Sequence, residues 1–146
     1  MINFIQENMN FLNDIQSYHW QTKSYAEHEA LGEFYTKFNE LNDRFVETYQ
    51  GKTHQRIKFS AELRAGIKNY AGNKEVCSEV CKTSDRINEV YKTIEGQIDL
   101  ESILEDMLEG NLSYIETQNM FREENADSSM EEYLSDKVKE IKLLRE

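Results

Sequence analysis

The sequence contains no proline and only six glycines in 146 residues. Proline breaks helices because it lacks an N–H donor and clashes with the preceding turn, and glycine weakens helices through its backbone freedom. Nothing in the composition therefore forbids long helices. The sequence also lacks period-two alternation of apolar and polar residues, internal repeats and low-complexity stretches, which disfavours a sheet, a solenoid or a disordered chain.

Long apolar runs and an excess of basic residues are missing as well. No apolar run approaches the ~20 residues that span a bilayer, and no signal peptide is evident. We therefore expect a soluble, cytoplasmic protein that has no membrane partner. Seventeen basic residues stand against 28 acidic ones, giving a formal net charge of −11. Such a charge repels nucleic-acid phosphates, so DNA binding is not expected, although metal cations would be attracted.

Cysteine is scarce: the only two are Cys77 and Cys81. A spacing of four puts them one helical turn apart on the same face, where side chains are poorly placed for a disulfide. A zinc site would need two further ligands, and no second cysteine pair exists. We expect two small buried residues in a reducing compartment.

Apolar residues recur at steps of three and four in four long segments, which indicates amphipathic helices. The predicted helices cover residues 2–22, 24–50, 74–96 and 99–124. Together they predict a single all-α domain over residues 1–124.

Several residues are expected to set the helix ends. Ser24 and Glu27 have the spacing of a capping box, in which each side chain bonds to the other residue's backbone N–H. Gly51 is expected to end the second helix. Asp99 is expected to cap the fourth.

The connection between the second and third helices, residues 51–74, is too long for a tight hairpin. A short helix is predicted inside it from the spacing of Phe59, Leu63, Ile67 and Tyr70. One long crossover at this point distinguishes ferritin-like bundles from simple up-down-up-down bundles. Residues 125–146 are expected to form a loop and an amphipathic C-terminal helix. The predicted fold is a ferritin-like four-helix bundle with this C-terminal addition.

Four side chains with metal-ligand chemistry flank the turn between the first two helices or lie on the second. His19 ends the first helix on its apolar stripe, and His28, Asp43 and Glu47 lie off the apolar stripe of the second. Asp43 and Glu47 share a face and could hold one cation together. At ~1.5 Å per residue, however, His28 and Asp43 lie ~22 Å apart along the helix. They converge on one ion only if two copies of the second helix pack antiparallel about a two-fold axis.

Other interpretations of these residues remain open. His19 also fits a core or capping histidine, and Asp43 with Glu47 also fits a solvated helix face. No histidine follows a glutamate by three residues, so a di-iron centre inside one subunit is not expected. His54 lies in the connection and has no companion ligand.

The stretch from His19 to Lys52 reads HWQTKSYAEHEALGEFYTKFNELNDRFVETYQGK. It resembles the Dps family of mini-ferritins, whose motif is His-Trp at the end of the first helix and His-Glu early in the second. An Asp follows fifteen residues after that histidine, then a Glu four residues later and a glycine after another four. His28, Asp43, Glu47 and Gly51 have this spacing.

The resemblance implies both a site and a function. The metal ligands would be His19 and His28 from one subunit with Asp43 and Glu47 from its two-fold mate, and the ion would be iron. Iron(II) would be oxidised there by peroxide or oxygen, a ferroxidase-type activity, and stored as mineral. The protein would form a homo-oligomer with two-fold interfaces, from a dimer up to a dodecamer.

The chain also departs from the family pattern. The segment between His19 and His28 is shorter than usual, Gly32 replaces a frequent carboxylate, and the lysine-rich tail is absent. In this respect the sequence is similar to short Dps-like proteins of large tailed phages. The alternative function is therefore a non-catalytic accessory or structural interaction protein built on a degenerate mini-ferritin scaffold. A small-ligand pocket among the Tyr and Phe side chains is a third and less favoured interpretation, because such residues at helical spacing more often belong to the core.

Overall fold

Four α-helices form the regular structure of the residues that the computed structural model describes, 1–59 and 67–123. They are α1 (Ile2–Gln21), α2 (Tyr25–Thr53), α3 (Asn73–Thr93) and α4 (Ile98–Glu123). No strand occurs in these residues. The prediction of an all-α helical bundle is confirmed.

The contacts between helices define their arrangement. Helix α1 contacts α2 and α3, and α4 contacts the same two helices. Helices α2 and α3 therefore lie at opposite corners of the bundle. None of the helices in the described ranges is long and apolar enough to cross a membrane.

The direction of each helix follows from pairs of contacts near its two ends. Arg86 Nε lies 3.0 Å from Glu7 Oε2, and the ring centroids of Tyr18 and Tyr70 are 6.1 Å apart. A residue early in α1 thus meets one in the second half of α3, and a residue late in α1 meets Tyr70, just before α3. These two helices are therefore antiparallel. Helix α2 also runs antiparallel to α1, so α2 and α3 point the same way.

Aromatic side chains hold α1 against α2. Phe45 is fully buried and meets Phe4 edge-on, with ring centroids 5.5 Å apart. Phe11 makes edge-on contacts with Phe34 at 6.0 Å and with Phe38 at 5.5 Å. Edge-to-face pairs add to the free energy gained by burying the rings. This part of the core aligns the two helices that carry the candidate site.

Two buried hydrogen bonds link polar side chains inside the bundle. Asn8 Nδ2 donates to Asn42 Oδ1 at 3.1 Å, between α1 and α2. Asn111 Nδ2 donates to Ser84 Oγ at 3.0 Å, between α4 and α3. Leaving such buried groups unpaired would cost about 1–3 kcal/mol each. The two bonds therefore favour one register for each helix pair.

One predicted helix end is wrong. Helix α2 continues through Gly51 to Thr53, and His54 becomes the C-cap in the left-handed conformation with φ of 58°. The His54 N–H donates to the Gln50 carbonyl at 2.9 Å. Gly51 has a helical backbone, so its freedom is not used to stop the helix.

Two further ends also differ from expectation. Helix α3 ends at Thr93, and Gly96 lies in the following turn with φ of 88°. Helix α4 begins one residue before Asp99, which is therefore in its first turn and not at its cap. The Asp99 carboxylate instead pairs with Lys52 Nζ at 3.0 Å. This ion pair joins the end of α2 to the start of α4.

Two predictions fall largely or wholly outside the described residues. The short helix predicted between Phe59 and Tyr70 covers residues 60–66, and the flanking residues 54–59 and 67–71 are not helical. The C-terminal helix and the boundary after residue 124 lie outside the described residues altogether.

Replacing Phe45 by Ala should lower the free energy of unfolding by about 3–5 kcal/mol, because it empties a fully buried site between α1 and α2. Urea denaturation followed by circular dichroism measures the change. The control is Ile98→Ala, since Ile98 is 78% exposed and its loss should change stability by less than about 0.5 kcal/mol. Equal losses in the two variants would contradict the assigned core.

Candidate metal site at the α1–α2 corner

A short turn joins α1 to α2 and brings the first histidine close to the second. Thr22 leaves the helix in an extended conformation with ψ of 142°. Ser24 is the N-cap of α2, and its hydroxyl accepts a hydrogen bond from the Glu27 N–H at 3.2 Å. This bond satisfies one of the free N–H groups at the start of the helix.

Glu27 closes the corner differently from the predicted capping box. Its carboxylate accepts from the Thr22 hydroxyl at 2.7 Å, and the Thr22 oxygen accepts from the Ser24 N–H at 3.2 Å. The threonine hydroxyl thus stands between the glutamate and the backbone that the capping box would have joined. The serine half of the prediction is confirmed, and the glutamate half is wrong.

The Glu27 side chain is also buried, with 7% of its surface exposed. It lies close enough to Tyr18 for its charge to act on the phenol. Burial first, then the interaction with Glu27, raises the pKa of Tyr18 to about 12. A buried carboxylate that accepts from the Thr22 hydroxyl fixes the angle at which α2 leaves the turn.

His19 and His28 stack on each other at the outer side of this corner. Their ring centroids are 4.0 Å apart and their planes differ by 15°. Both side chains are half-buried. We call these two residues the histidine pair. The structure therefore brings together the two histidines that the sequence analysis selected.

One backbone contact fixes how the ring of His28 is held. Its Nδ1 lies 2.8 Å from the carbonyl oxygen of His19. Because a carbonyl oxygen only accepts hydrogen bonds, Nδ1 is the donor in this contact, which leaves Nε2 as the ring nitrogen that could coordinate a metal ion. Metal-binding histidines are commonly held in this way, with the second ring nitrogen donating to a carbonyl.

The environment of His19 favours the neutral form of its ring. Burial, followed by the charge of His28, lowers the pKa of His19 below its ordinary value, and the nearby Glu29 opposes this shift. A neutral imidazole retains the lone pair that a metal ion needs. Gly32 leaves room for this ring, because a Cβ at that position would lie 3.1 Å from His19 Nε2.

A shallow groove of ≈ 380 Å³ opens beside the histidine pair. It runs between α2 and α4, and Glu29, Glu33 and Thr117 contribute to its lining. Its wall therefore combines imidazole, carboxylate and hydroxyl groups. Trp20, which follows His19, is 69% exposed and lies at the surface of the corner.

The two predicted acidic ligands lie elsewhere on α2. Asp43 and Glu47 are both exposed and stand one turn apart. Along the helix axis, Asp43 lies ~22 Å from His28 and Glu47 lies ~28 Å from it. Among the residues described, no group of three or more His, Cys, Asp and Glu side chains is placed to hold one metal ion. The structure of one chain thus unites two of the four predicted ligands and leaves the acidic two apart.

The two cysteines lie on α3, away from this corner. Neither forms a disulfide; Cys77 is buried and Cys81 is half-buried. The Cys77 thiol donates to Asn73 Oδ1 at 3.3 Å. The prediction of a buried cysteine is confirmed for Cys77.

The sequence analysis missed two features of the site. It did not identify the bond from Thr22 to Glu27, and it did not connect Gly32 with the ring of His19. The capping-box spacing marked Glu27 as a structural residue but gave the wrong partner. Contacts between α1 and α2 cannot be predicted from the spacing of residues within either helix alone.

These observations define the class of protein as an all-α helical bundle with a surface histidine pair between its first two helices. Residues 19–115 match a family of unknown function, DUF5856. Because this match covers more than half of the 146 residues, the chain belongs to that family. No curated protein and no solved structure matches the chain.

Replacing Tyr18 by Phe should make stability less sensitive to alkaline pH. The unfolded chain releases the Tyr18 proton near the ordinary value of 10.0 and the folded chain near 12. The contribution of Tyr18 is thus complete below pH 10 and is lost as the pH rises towards 12. Urea denaturation of wild type and Tyr18→Phe across this range should give a shallower decline for the variant. Tyr25→Phe, at a 77% exposed side chain, is the control, and a Tyr18→Phe slope equal to that of wild type would refute the raised pKa of Tyr18.

Proposed function

We propose that this protein binds iron(II) between two copies of the chain and, like the mini-ferritins it resembles, oxidises and stores it. The histidine pair is the observation that carries the proposal. Its rings are 4.0 Å apart at the surface, and the contact with the His19 carbonyl engages His28 Nδ1 and leaves Nε2 as the nitrogen that could coordinate a metal ion. Two imidazoles in this position would supply half of a metal coordination sphere.

A second copy of the chain supplies the other half in this proposal. Asp43 and Glu47 present two carboxylates on the exposed side of α2, too far from the histidine pair for one ion to reach both in a single chain. An antiparallel α2 from a two-fold-related copy would place them opposite the pair. A two-fold axis creates two such sites, each sharing its ligands between the copies.

The proposed ligand set favours borderline divalent ions. Imidazoles bind iron, zinc and copper, whereas carboxylates favour harder ions and stabilise the ferric product. Each iron(II) ion gives up one electron. One hydrogen peroxide takes up two electrons and two protons and becomes two waters. The net acidic charge of the chain would favour the retention of cationic iron.

The arrangement of the helices supports the ferritin-like part of the proposal. Helices α2 and α3 lie at opposite corners and run in the same direction, so in this proposal the long connection between them crosses from one end of the bundle to the other. Ferritin-like bundles have one long crossover of this kind, whereas simple up-down-up-down bundles have none. The match of His19, His28, Asp43 and Glu47 to the Dps motif supports the site independently.

Anaerobic titration with cobalt(II), as a spectroscopic substitute for iron(II), tests the ligands. His28→Ala and the double variant Asp43→Ala/Glu47→Ala should each weaken binding by more than the ~10–100-fold that follows loss of an outer-shell partner. Iron(II) oxidation by peroxide should slow in both. His54→Ala is the matched control, because His54 caps α2 at the other end of the helix, and its binding should equal that of wild type.

Mixing the two defective variants gives a sharper test of the shared site. A mixed pair would contain one complete site, with histidines from the Asp43→Ala/Glu47→Ala chain and carboxylates from the His28→Ala chain. Cobalt binding should therefore return on mixing, at no more than one ion per mixed pair. Wild-type affinity in all separate variants would remove the proposed site, and failure of mixing to restore binding would show that the ligands are not shared.

The second candidate is a non-catalytic accessory or structural interaction protein on the same scaffold. One observation favours it: in the described part of a single chain, no three potential ligands converge. The cobalt titration separates the two candidates. Wild-type protein that remains monomeric and binds no metal would support the interaction protein over the iron-binding one.

A further inference from the structure

The face of α2 on which the two copies would meet is strongly acidic. We infer that the bound metal ion also controls assembly, so that two copies associate through α2 only when divalent cations occupy the shared sites. This inference rests on the proposed function and adds its regulation. It concerns the partner, a second copy of this chain, and the condition under which that partner binds.

One exposed stripe runs along the outer side of α2. Its members follow each other at alternating steps of four and three, and all are exposed: Glu29, Glu33, Thr36, Glu40, Asp43 and Glu47. This spacing keeps them on one face of the helix. We call this set the acidic stripe. Lys37 and Arg44 lie beside it, and five carboxylates against two cations leave the face negative.

The register of the proposed pair follows from helix geometry. If His28 faces the middle of the Asp43–Glu47 pair of the other copy, the two-fold axis passes between Thr36 and Lys37. Each metal site then lies ~13 Å from the axis along the helix. Glu33 and Glu40 lie ~5 Å from the axis on opposite sides, so Glu33 of one copy faces Glu40 of the other.

This register brings like charges together at the centre of the interface. Glu33 of one copy meets Glu40 of the second, and the two-fold axis generates the same contact a second time. Thr36 is the only uncharged member of the acidic stripe, so the stripe has no apolar side chain to bury. The same register sets Arg44 opposite Glu29 of the second copy and Lys37 beside the axis, but these two cations offset only part of the five carboxylates of each copy, and no hydrophobic burial along the stripe holds two metal-free copies together.

Divalent cations offset this repulsion at the two proposed metal sites. Each ion adds two positive charges to the negative face and joins the histidine pair of one copy to Asp43 and Glu47 of the other. Because the complete site exists only in the pair, metal binding and association are coupled. By linkage, the metal strengthens association by the same factor by which association strengthens metal binding.

Analytical ultracentrifugation of the full 146-residue chain tests the inference, with cobalt(II) as the added ion. We expect a monomer in EDTA and at least a doubling of mass with one cobalt(II) per chain. The variant Glu33→Gln/Glu40→Gln removes the central repulsion and no proposed ligand. It should lower the cobalt concentration at half-association by about tenfold or more, or associate without metal.

The matched control is Asp85→Asn/Glu95→Gln. Both residues are exposed, on α3 and in the turn after it, at the corner of the bundle opposite α2. This variant removes the same charge and should require as much cobalt as wild type. Equal behaviour of the two double variants would overturn the role of the acidic stripe.

The outcomes separate this inference from the function on which it rests. Equal assembly in EDTA and in cobalt(II), with binding still lost in His28→Ala, would overturn metal-controlled assembly and leave the shared site intact. A monomer that still binds cobalt through His28 and Asp43 would contradict both. Wild-type protein that binds no cobalt would remove the proposed function and this inference with it.

Discussion

The buried carboxylate of Glu27 fixes the corner on which the candidate site depends. It accepts a hydrogen bond from the Thr22 hydroxyl and lies close enough to Tyr18 to raise the pKa of that phenol, so the end of α1 and the first turn of α2 share one polar centre. His19 follows Tyr18 and His28 follows Glu27 in the chain. Their side chains therefore emerge beside each other when this centre forms, and the His19 carbonyl then holds the ring of His28.

The same geometry separates the histidine pair from the two predicted acidic ligands. Because one helix keeps His28 ~22 Å from Asp43, a single ion would reach both only in the proposed pair of chains. The proposed metal site therefore requires the outer face of α2 as an interface, and the acidic stripe on that face is expected to oppose the approach of a second copy.

The interior of the bundle aligns the helices that carry the candidate site but contributes no residue to that site. Aromatic contacts such as Phe4–Phe45 align α1 with α2, and the Asn8–Asn42 bond fixes their register. Helix α4 covers the inner side of α2, so the side opposite the core remains exposed. The four-helix packing thus places the acidic stripe and the histidine pair on an accessible surface.

The sequence by itself determined the helices, because the apolar spacing and the absence of proline are local properties of each segment. It also determined that Asp43 and Glu47 share a face and that His28 is too distant to join them, since one helix has one geometry. Only the tertiary structure decided that the rings of His19 and His28 stack, that Glu27 bonds to Thr22, and that α2 passes through Gly51. These outcomes depend on side chains from different helices or on the free space around a residue, and neither leaves a periodic signal in the sequence.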